Sequence, residues 1–344
     1  MKKNIVISFL VTASILILMA CGKSEEKSTT VTADMDKFEP IEIKDENIQL
    51  RYNFSKGDKF KYKLTTVTNS EESVKTDSTI NSKLFQTLTY IFDLDVLEID
   101  EDKVAEIGIT ISSIKLEANV NGQLITFDSK GEYTPEEKQR FLEYATISNS
   151  PYRARVSSRG EVIEVTRLDK MIEKMNELQN EPQKLTIEQK AQLSKNLSEA
   201  ALRPLTQLIF RELPEKSVAK DSTWTRNYPA QMNVFNIQNV ALFKIDDFIN
   251  IDGNKGAKIS ANLSATWSGN KKGEEEGVQY QFDDPIISGN GKIIFDIDNG
   301  QLIKAETLTS IELSVEVKSK DSLQKMQTAK RNEKSTNKNT VELL

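Results

Sequence analysis

The side chains able to carry out chemistry are few in kind, because the 344 residues include one cysteine, Cys21, and no histidine. Ser-His-Asp and Cys-His catalysis both need an imidazole base, so both are excluded. Zinc and copper sites also lose their commonest ligand. Carboxylate chemistry and calcium bound through oxygen remain open, and we expect no cofactor.

Carboxylates cluster at three places that invite comparison with known sites. Glu274-Glu275-Glu276 and Asp283-Asp284 are acidic clusters, and paired carboxylates can hydrolyse glycosides when they converge in space, but a solvated loop is the favoured interpretation. Asp296-Ile297-Asp298-Asn299-Gly300 has the composition of a calcium loop without its spacing or closing glutamate, which favours a hairpin turn. Ser112-Ser113-Ile114-Lys115 fits the Ser-x-x-Lys pattern, and its companion motifs are missing. None of these patterns predicts a catalytic residue.

Cys21 ends the run Leu18-Met19-Ala20-Cys21, which follows Lys2, Lys3 and an apolar stretch from Ile5 to Met19. This order resembles a bacterial lipoprotein signal peptide whose lipobox is Leu-Met-Ala-Cys. The resemblance implies that Cys21 receives a diacylglyceryl thioether and becomes the mature N-terminus. The alternative is an uncleaved membrane helix, for which the apolar run is at the short limit.

The charge balance restricts the partners. Lysine and arginine total 46, aspartate and glutamate total 52, and the net charge is −6. An acidic chain without a basic patch is unsuited to nucleic acid. We therefore expect a membrane partner through the lipid anchor, and an apolar ligand or an envelope protein, but no nucleic acid. The expected location is the bacterial cell envelope, at the periplasmic or surface face of the outer membrane.

Composition and periodicity divide the chain into six parts. Residues 22–45 are polar, and Lys23-Ser24-Glu25-Glu26 is similar to a surface-export signal of Bacteroidota lipoproteins, with a plain linker as the alternative. The predicted parts are a signal peptide at 1–20, the lipidated cysteine and a flexible tether at 21–45, an N-terminal strand-rich half at 46–165, a helical segment at 166–212, a C-terminal strand-rich half at 213–318, and a frayed polar tail at 319–344.

Local patterns predict several strand features. Residues 48–54 alternate in polarity, which predicts a strand. The apolar parity changes at Ser112-Ser113, which predicts a β-bulge there. Asn121-Gly122 predicts a two-residue hairpin turn. A set of apolar residues on either side of Asp298-Asn299-Gly300 is odd-numbered, which favours a three-residue loop with Gly300 left-handed; the set is Ile293, Phe295, Ile297, Ile303, Ala305, Ile311, Leu313, Val315 and Val317.

Three capping patterns predict helices, beginning at Thr134, Thr166 and Thr186, and Pro204 should kink or restart the last of them. The methionines at 171 and 175 are expected in the core. Trp224 and Trp267 are expected to be buried strand anchors, although either ring could stack a sugar or a lipid.

Three tripeptides resemble the acceptor used for O-glycosylation in Bacteroidota. They are centred on Ser78, Ser222 and Ser322, and Ser322 lies in the polar tail, which makes it the most accessible of the three.

The body of the chain resembles a family of uncharacterised Bacteroidota lipoproteins that carry a domain of unknown function. The resemblance implies residence in the cell envelope and supplies no catalytic residue. The segments that carry it are Leu50 to Leu64 with Lys56-Gly57-Asp58, Phe127-Asp128-Ser129, Val156 to Val162, and Leu213-Pro214 through Asp221-Ser222-Thr223-Trp224.

These features predict an α+β fold of long, bent antiparallel strands, with a helical segment between two strand-rich halves. A curved half-barrel with helices over its concave face would be similar to periplasmic lipid and lipoprotein carriers. Three functions follow from this expectation. A pocket beneath residues 134–212 would favour non-enzymatic binding of an apolar ligand or partner, a filled core would favour an outer-membrane assembly factor, and a cleft with two convergent acids would favour a carboxylate-based glycan hydrolase.

Overall fold

The computed structural model describes residues 35, 37–43, 47–179, 184–232, 234–275, 277–320 and 325–344. The described chain is mostly antiparallel sheet with few helices, which agrees broadly with the predicted mixed class. The strands are β1 Lys59–Lys75, β2 Thr79–Ile99, β3 Ala105–Val120, β4 Gln123–Asp128, β5 Tyr152–Val156, β6 Val162–Thr166, β7 Thr223–Met232, β8 Phe235–Ile251, β9 Asn254–Gly269, β10 Lys272–Glu275, β11 Val278–Phe282, β12 Ile286–Asp296, β13 Gln301–Lys320 and β14 Met326–Leu343. The helices are α1 Pro135–Arg140, α2 Leu142–Ile147, α3 Asp169–Glu177, α4 Ile187–Asn196, a π-helical turn at Leu197–Leu202, and α5 Arg203–Ile209.

All these strands belong to one open, curled sheet with the order β6-β5-β3-β2-β1-β14-β13-β12-β9-β8-β7. The strand β4 extends the sheet beside β3, while β11 lies beside β13 and carries β10. The two strand-rich halves of the sequence are therefore joined at the middle of a single sheet. The curvature predicted from the long strands is present, without a separate sheet for each half.

Strand β14 makes that join, which corrects the prediction of a frayed tail at 319–344. Val341 of β14 lies in register with Leu64 of β1 on one side and Ala305 of β13 on the other. The polar composition was misleading because ladder hydrogen bonds need only the backbone, so a strand paired on both sides can carry polar side chains. Residues 321–324 lie outside the described residues.

Two of the predicted local features of the strands are confirmed. Ser113 pairs with Ile91 whereas Ile111 pairs with Phe92, so Ser112 is the extra residue of a bulge. The bulge lets both parities of β3 face the core. Residues 121 and 122 have φ values of 49° and 95°, the left-handed pair that a two-residue hairpin turn requires.

The last hairpin differs from its prediction in loop length. Asp296 pairs with Gln301, so the loop has four residues rather than three. Gly300 is left-handed as predicted, with φ of 62°, and a Cβ there would lie 2.5 Å from Asn53. The register shifts between Ile294 and Phe295, and this shift, rather than the loop, realigns the two strands.

The helix caps are confirmed at two of the three predicted positions. Thr134 and Thr186 each form a complete capping box. The cap predicted at Thr166 is wrong, because α3 is preceded by Leu168, whose side chain makes no capping hydrogen bond. Pro204 lies in the first turn of α5, directly after the π-helical turn, so it restarts the helix as predicted.

One face of the sheet, here called the inner face, carries the main core. Strand residues such as Ile109 and Phe295 are fully buried on it. The helices cover one end of the inner face and bury Met171, Ile172 and Ile209 against the strands. We call this covered part the closed half. The space beneath residues 134–212 is therefore packed with side chains.

Residues 47–54 close the same end as an extended segment, which corrects the prediction of a strand there. Within this range, Ile48 forms a single bridge with Val218. Leu50 and Tyr52 are nevertheless buried, and the Tyr52 ring meets Phe295 at a centroid distance of 5.3 Å. The alternating pattern therefore reported burial on one side rather than a ladder of hydrogen bonds.

The described part of the predicted flexible tether packs against the opposite, outer face. Met35 is buried there with Ile249 and Ile294. The amide of Ile41 donates to the carbonyl of Phe248 at 2.9 Å, so this segment lies along the free edge of β8. Residues 21–45 were predicted to form a flexible tether. The part of this range that the structure describes, from residue 35 onward, is instead docked on the sheet.

Candidate functional site

The inner face changes character along individual strands. On β9, Ala257 and Ile259 are fully buried, whereas Leu263, Ala265 and Trp267, which point to the same face farther along, are only half-buried. The same change occurs on β13 beyond Ala305 and on β14 before Val341. We call the inner-face positions 261–267, 287–291, 307–315 and 333–339 the open half.

Half-buried apolar side chains form a continuous strip in the open half. Ile287 pairs with Ile311 across β12 and β13, and Trp267 pairs with Ile237 across β9 and β8. The cluster rests on the buried side chains of Met232, Phe235 and Ile237. We call this surface the trough, and it consists of Leu263, Ala265, Trp267, Ile287, Ile311 and Leu313.

A polar border on β14 separates the trough from β1. Thr66 donates to the Asn339 side chain at 2.8 Å. The side-chain oxygen of Asn337 is buried and has no hydrogen-bond partner in the protein. Arg331 joins Glu72 and Glu333 at 3.1 and 3.2 Å. The open half therefore combines an apolar floor with a polar edge.

A second polar group lies at the other margin, where β7 meets the chain after α5. The Arg226 side chain donates to the carbonyl of Leu213 at 2.8 Å, and its Nε lies 3.5 Å from Glu212. The backbone amide of Arg211 donates to the Tyr52 hydroxyl at 2.8 Å. These contacts hold the loop residues 211–213 beside the inner face of β7.

Burial dominates the electrostatics of this group. It lowers the pKa of Arg211, and it raises the pKa of Tyr228 to about 12. It also raises the pKa of the Glu212 carboxyl, an effect that the nearby Arg226 opposes. A buried guanidinium is costly unless an anion accompanies it. Neither Arg211 nor Arg226 was predicted from the sequence, although an arginine directly after Ile209-Phe210 is a usable signal.

The outer face carries a groove of about 550 Å³ across β2, β1, β14 and β13. Its charges alternate, since Lys83 pairs with Glu71 and Lys334 pairs with Glu312. Each charge in this row has an opposite neighbour within the protein. The groove therefore does not offer an unpaired charge to a ligand.

The acidic patterns at Asp283-Asp284 and at Asp296 are engaged in local structure, whereas Glu276 lies outside the described residues. Asp296 accepts hydrogen bonds from the backbone and side chain of Asn299, both at 2.8 Å, which confirms the hairpin turn. Asp283 pairs with Lys330 at 3.4 Å and Asp284 with Lys271 at 2.6 Å. In the described part of the chain, no group of three acidic, histidine or cysteine side chains is placed to bind a metal.

The Ser-x-x-Lys pattern is not a site. Against the effect of burial, the Ser112 hydroxyl helps to lower the pKa of the Asp93 carboxyl, whereas Lys115 pairs with Asp128 at 3.2 Å. The two side chains therefore serve different contacts, as a chance match would predict.

Both tryptophans lie on the inner face as strand residues. Trp224 stacks on Phe243 with a centroid distance of 5.3 Å, and Trp267 meets Phe235 edge-on at 5.2 Å. Lys271 lies 5.4 Å from the Trp267 ring. Each ring anchors its strand yet remains half-buried, so a stacking role is compatible with both positions.

The predicted modification sites fall in different environments. Ser78 is exposed in the turn between β1 and β2. Ser222 is half-buried, and its hydroxyl accepts a hydrogen bond from the amide of Ala219 at 2.9 Å. Cys21 and Ser322 lie outside the described residues. Among the helices that the structure describes, none has the length and apolarity to cross a membrane.

Comparison with solved structures gives weak similarities. A structure concerning lipid–protein interactions in lipovitellin matches with 8% identity and a TM-score of 0.44, covering 85% of this chain and 25% of that one. Pseudomonas aeruginosa OccK7 (OpdD) matches at 7% identity and a TM-score of 0.20, covering 83% of this chain and 99% of that one. This chain thus spans about a quarter of lipovitellin, and neither score supports an argument about function.

Comparison by sequence gives one clear result. No curated protein matches the chain. Residues 102–302, more than half of the chain, match a family described as "Family of unknown function (DUF6263)". The matched region runs from the end of β2 through the trough strands β9 and β12 to the start of β13. The protein therefore belongs to this family of unknown function.

Proposed function

We propose that the protein is a lipid-anchored lipoprotein of the bacterial cell envelope that binds an apolar ligand in the trough and catalyses no reaction. The observation that carries this proposal is the loss of burial along single strands. Ile259 and Ala305 are fully buried, whereas Leu263 and Ile311 on the same face are half-exposed.

The trough suits an apolar ligand for a physical reason. Each square ångström of apolar surface removed from water stabilises the bound state by about 25 cal/mol. Contiguous apolar surface with a polar rim is typical of binding sites. Here the Asn337 and Arg331 side chains supply polar groups at the rim. The proposed site lies beyond the helices rather than beneath them, because residues 134–212 cover a filled core.

The cell-envelope location rests on the sequence alone. The lipobox before Cys21 implies an acylated N-terminus, and two or three acyl chains would anchor the protein durably. The acidic net charge of −6 gives no attraction to an anionic membrane surface, so the anchor supplies the attachment.

An assembly factor of the outer membrane is the second candidate, and the filled closed half favours it. A partner protein would then occupy the trough. Two carboxylates meet on the inner face, but their arrangement does not support a glycan hydrolase. Glu72 and Glu333 face each other across β1 and β14, but Arg331 bridges both of them.

Native mass spectrometry of residues 22–344, which retain every described residue, tests the proposal. This form lacks Cys21 and therefore the anchor, so it would be purified without detergent and then extracted for lipids. Ala265→Trp fills the trough, and Thr266→Trp adds the same ring to the opposite, exposed side of β9. We expect a co-purifying apolar molecule with wild type and T266W and its loss with A265W. An apo mass for all three, together with no binding of long-chain alcohol, would contradict the proposal and direct the search toward protein partners.

A further inference from the structure

The unpaired polar atoms of the protein are unevenly distributed. Nine buried side-chain nitrogen and oxygen atoms among the described residues lack a hydrogen-bond partner. Four of them belong to the group beside β7, namely Nε and Nη2 of Arg211, Nε1 of Trp224 and Nε of Arg226, and the last of these has the Glu212 carboxylate at 3.5 Å. The Arg211 and Trp224 atoms are donors only, so an acceptor is what these three atoms lack.

These donors belong to one region of the fold. Trp224, Arg226 and Tyr228 alternate along β7, so they share its inner face. Arg226 donates a hydrogen bond to the carbonyl of Leu213, and this contact brings the loop carrying Arg211 beside the strand. The Tyr228 hydroxyl is close enough to Arg211 to act on its pKa, which burial lowers. The donors therefore lie on the inner face of β7 and on the loop 211–213 beside it.

The charges of this group do not cancel. Arg226 has Glu212 as an ion-pair partner at 3.5 Å. Among the described residues, no carboxylate pairs with Arg211, although its Nε and Nη2 atoms are shielded from solvent. Arg159 and Glu161 also act on the Glu212 charge, but they are opposite in sign and lie 3.9 Å from each other. The remaining two guanidinium groups and one carboxylate leave one positive charge. An unpaired buried cation is costly, and a bound anion would offset that cost.

The donors also lie next to the trough. Arg226 pairs with Ala241 of β8, which pairs with Leu263 of β9, so Arg226 and Leu263 are in one row two strands apart. Two strand spacings amount to about 10 Å. An amphiphile several carbons long can reach from one to the other.

We propose that Arg211, together with Arg226 and Trp224, binds the oxyanion head group of an amphiphile, a carboxylate or phosphate, whose apolar part lies in the trough. This inference rests on the proposed function, and it names the ligand class of the same site. The guanidinium of Arg211 supplies paired donors suited to a planar or tetrahedral oxyanion, and Trp224 adds a single N–H.

The test separates the head group from the apolar tail. Three probes are titrated by calorimetry against residues 22–344: inorganic phosphate for the head alone, oleyl alcohol for the tail alone, and oleate for both. We expect oleate to bind at least tenfold more tightly than oleyl alcohol at pH 8, and phosphate to bind weakly. Equal affinities for oleate and the alcohol would overturn the anion site and leave the apolar-ligand function standing.

Two variants locate the charge that matters. Arg211→Met removes the guanidinium at nearly constant volume, and Arg155→Met is the control, because Arg155 pairs with Asp100 at an exposed position. We expect R211M to lose the tenfold preference for oleate and its response to phosphate while binding oleyl alcohol as wild type does. R155M should behave as wild type. An unchanged preference in R211M would contradict the proposal.

A third variant guards against misfolding of R211M. Glu212→Gln removes the negative charge beside Arg226, so it should raise phosphate and oleate affinity two- to fivefold. Lowered affinity in E212Q would contradict the assignment. If phosphate binds wild type and neither amphiphile does, the anion site is real but the apolar-ligand function fails. If phosphate and oleate show no Arg211-dependent binding, water alone satisfies the donors and the inference fails.

Discussion

The closed and open halves share the same strands, but their inner faces differ. On β13, Leu302 and Ala305 are fully buried, whereas Ile311 and Leu313 are half-exposed. Helices and residues 47–54 cover the first pair, and a cluster of trough side chains surrounds the second. The strand is continuous through both environments, so the difference comes from what packs on the sheet.

The contrast assigns stability to the closed half and the proposed ligand binding to the open half. A filled, covered region holds the sheet in its curled form, and it allows the other region to keep apolar surface available. Binding surfaces drawn from less stable parts of a protein are common.

The same truncation should have different costs in the two halves. Leu302→Ala removes a fully buried side chain from the closed half, and we expect a loss of about 2–5 kcal/mol in the free energy of unfolding. Leu313→Ala in the trough should cost less than about 1 kcal/mol, because that side chain is already partly hydrated. Urea unfolding followed by circular dichroism measures both. Equal losses would remove the distinction between the halves.

The hydroxyl of Tyr52 connects the extended segment to the loop after α5. Tyr52→Phe leaves the Arg211 amide without its acceptor, which should cost about 1–3 kcal/mol. Tyr133→Phe is the matched control, since that hydroxyl accepts from the Asp128 amide at a half-buried site and should matter less. Thermal unfolding of the two variants would show the order, and a larger loss in Y133F would contradict it.

An ion network on the outer face of the closed half should make the free energy of unfolding depend on pH. Burial opposes ionisation of Glu342, but the hydrogen bond and charge of Lys63, with the charge of Lys304, outweigh it and lower its pKa. A lowered folded pKa means that the carboxylate stabilises the fold above about pH 4.5 and that this contribution disappears as the pH falls through the folded value.

The variant Glu342→Gln tests that sign. At pH 7 it should lose about 1 kcal/mol, because Lys63 at 2.6 Å and the buried Lys304 at 3.4 Å lose their shared partner. The difference from wild type should shrink below pH 4. A difference that grows on acidification would contradict the account.

The corresponding ion pairs of the open half should contribute least. Lys334 pairs with the exposed Glu312, and water already screens both groups. Lys334→Met should change the free energy of unfolding by less than about 0.5 kcal/mol. A loss in K334M as large as that of E342Q would show that the outer faces of the two halves are equally important.

Sequence reasoning was sufficient where a feature is local. The capping boxes at Thr134 and Thr186, the bulge at Ser112 and the left-handed Gly300 each depend on neighbouring residues. It failed where partners are distant in sequence. Strand β14 carries polar side chains because they face the open half and solvent, and its pairing with β1 spans most of the chain. The alternation of polarity in the sequence showed that Leu50 and Tyr52 are buried. It did not show that their segment lacks a strand partner.

The candidate site follows the same rule. Periodicity showed the inner-face positions of β9 from Ala257 to Trp267, yet it could not show where the covering helices end. The role of Arg211 depends on the edge strand β7 and on Glu212 pairing with Arg226, which are contacts between separate elements. A single sequence contains no pattern for such a combination.

Quenching of tryptophan fluorescence can show whether an apolar ligand occupies the trough. Trp224→Phe leaves Trp267 as the one tryptophan, and this residue lies in the trough. A long-chain alcohol brominated at mid-chain is titrated against this variant of residues 22–344. We predict saturable quenching of Trp267 in the Trp224→Phe variant. The quenching should disappear when Ala265→Phe is added, because this ring fills the trough and does not fluoresce as tryptophan does. It should persist when Thr266→Phe is added instead. Absence of quenching, or equal quenching in both second-site variants, would contradict a ligand in the open half.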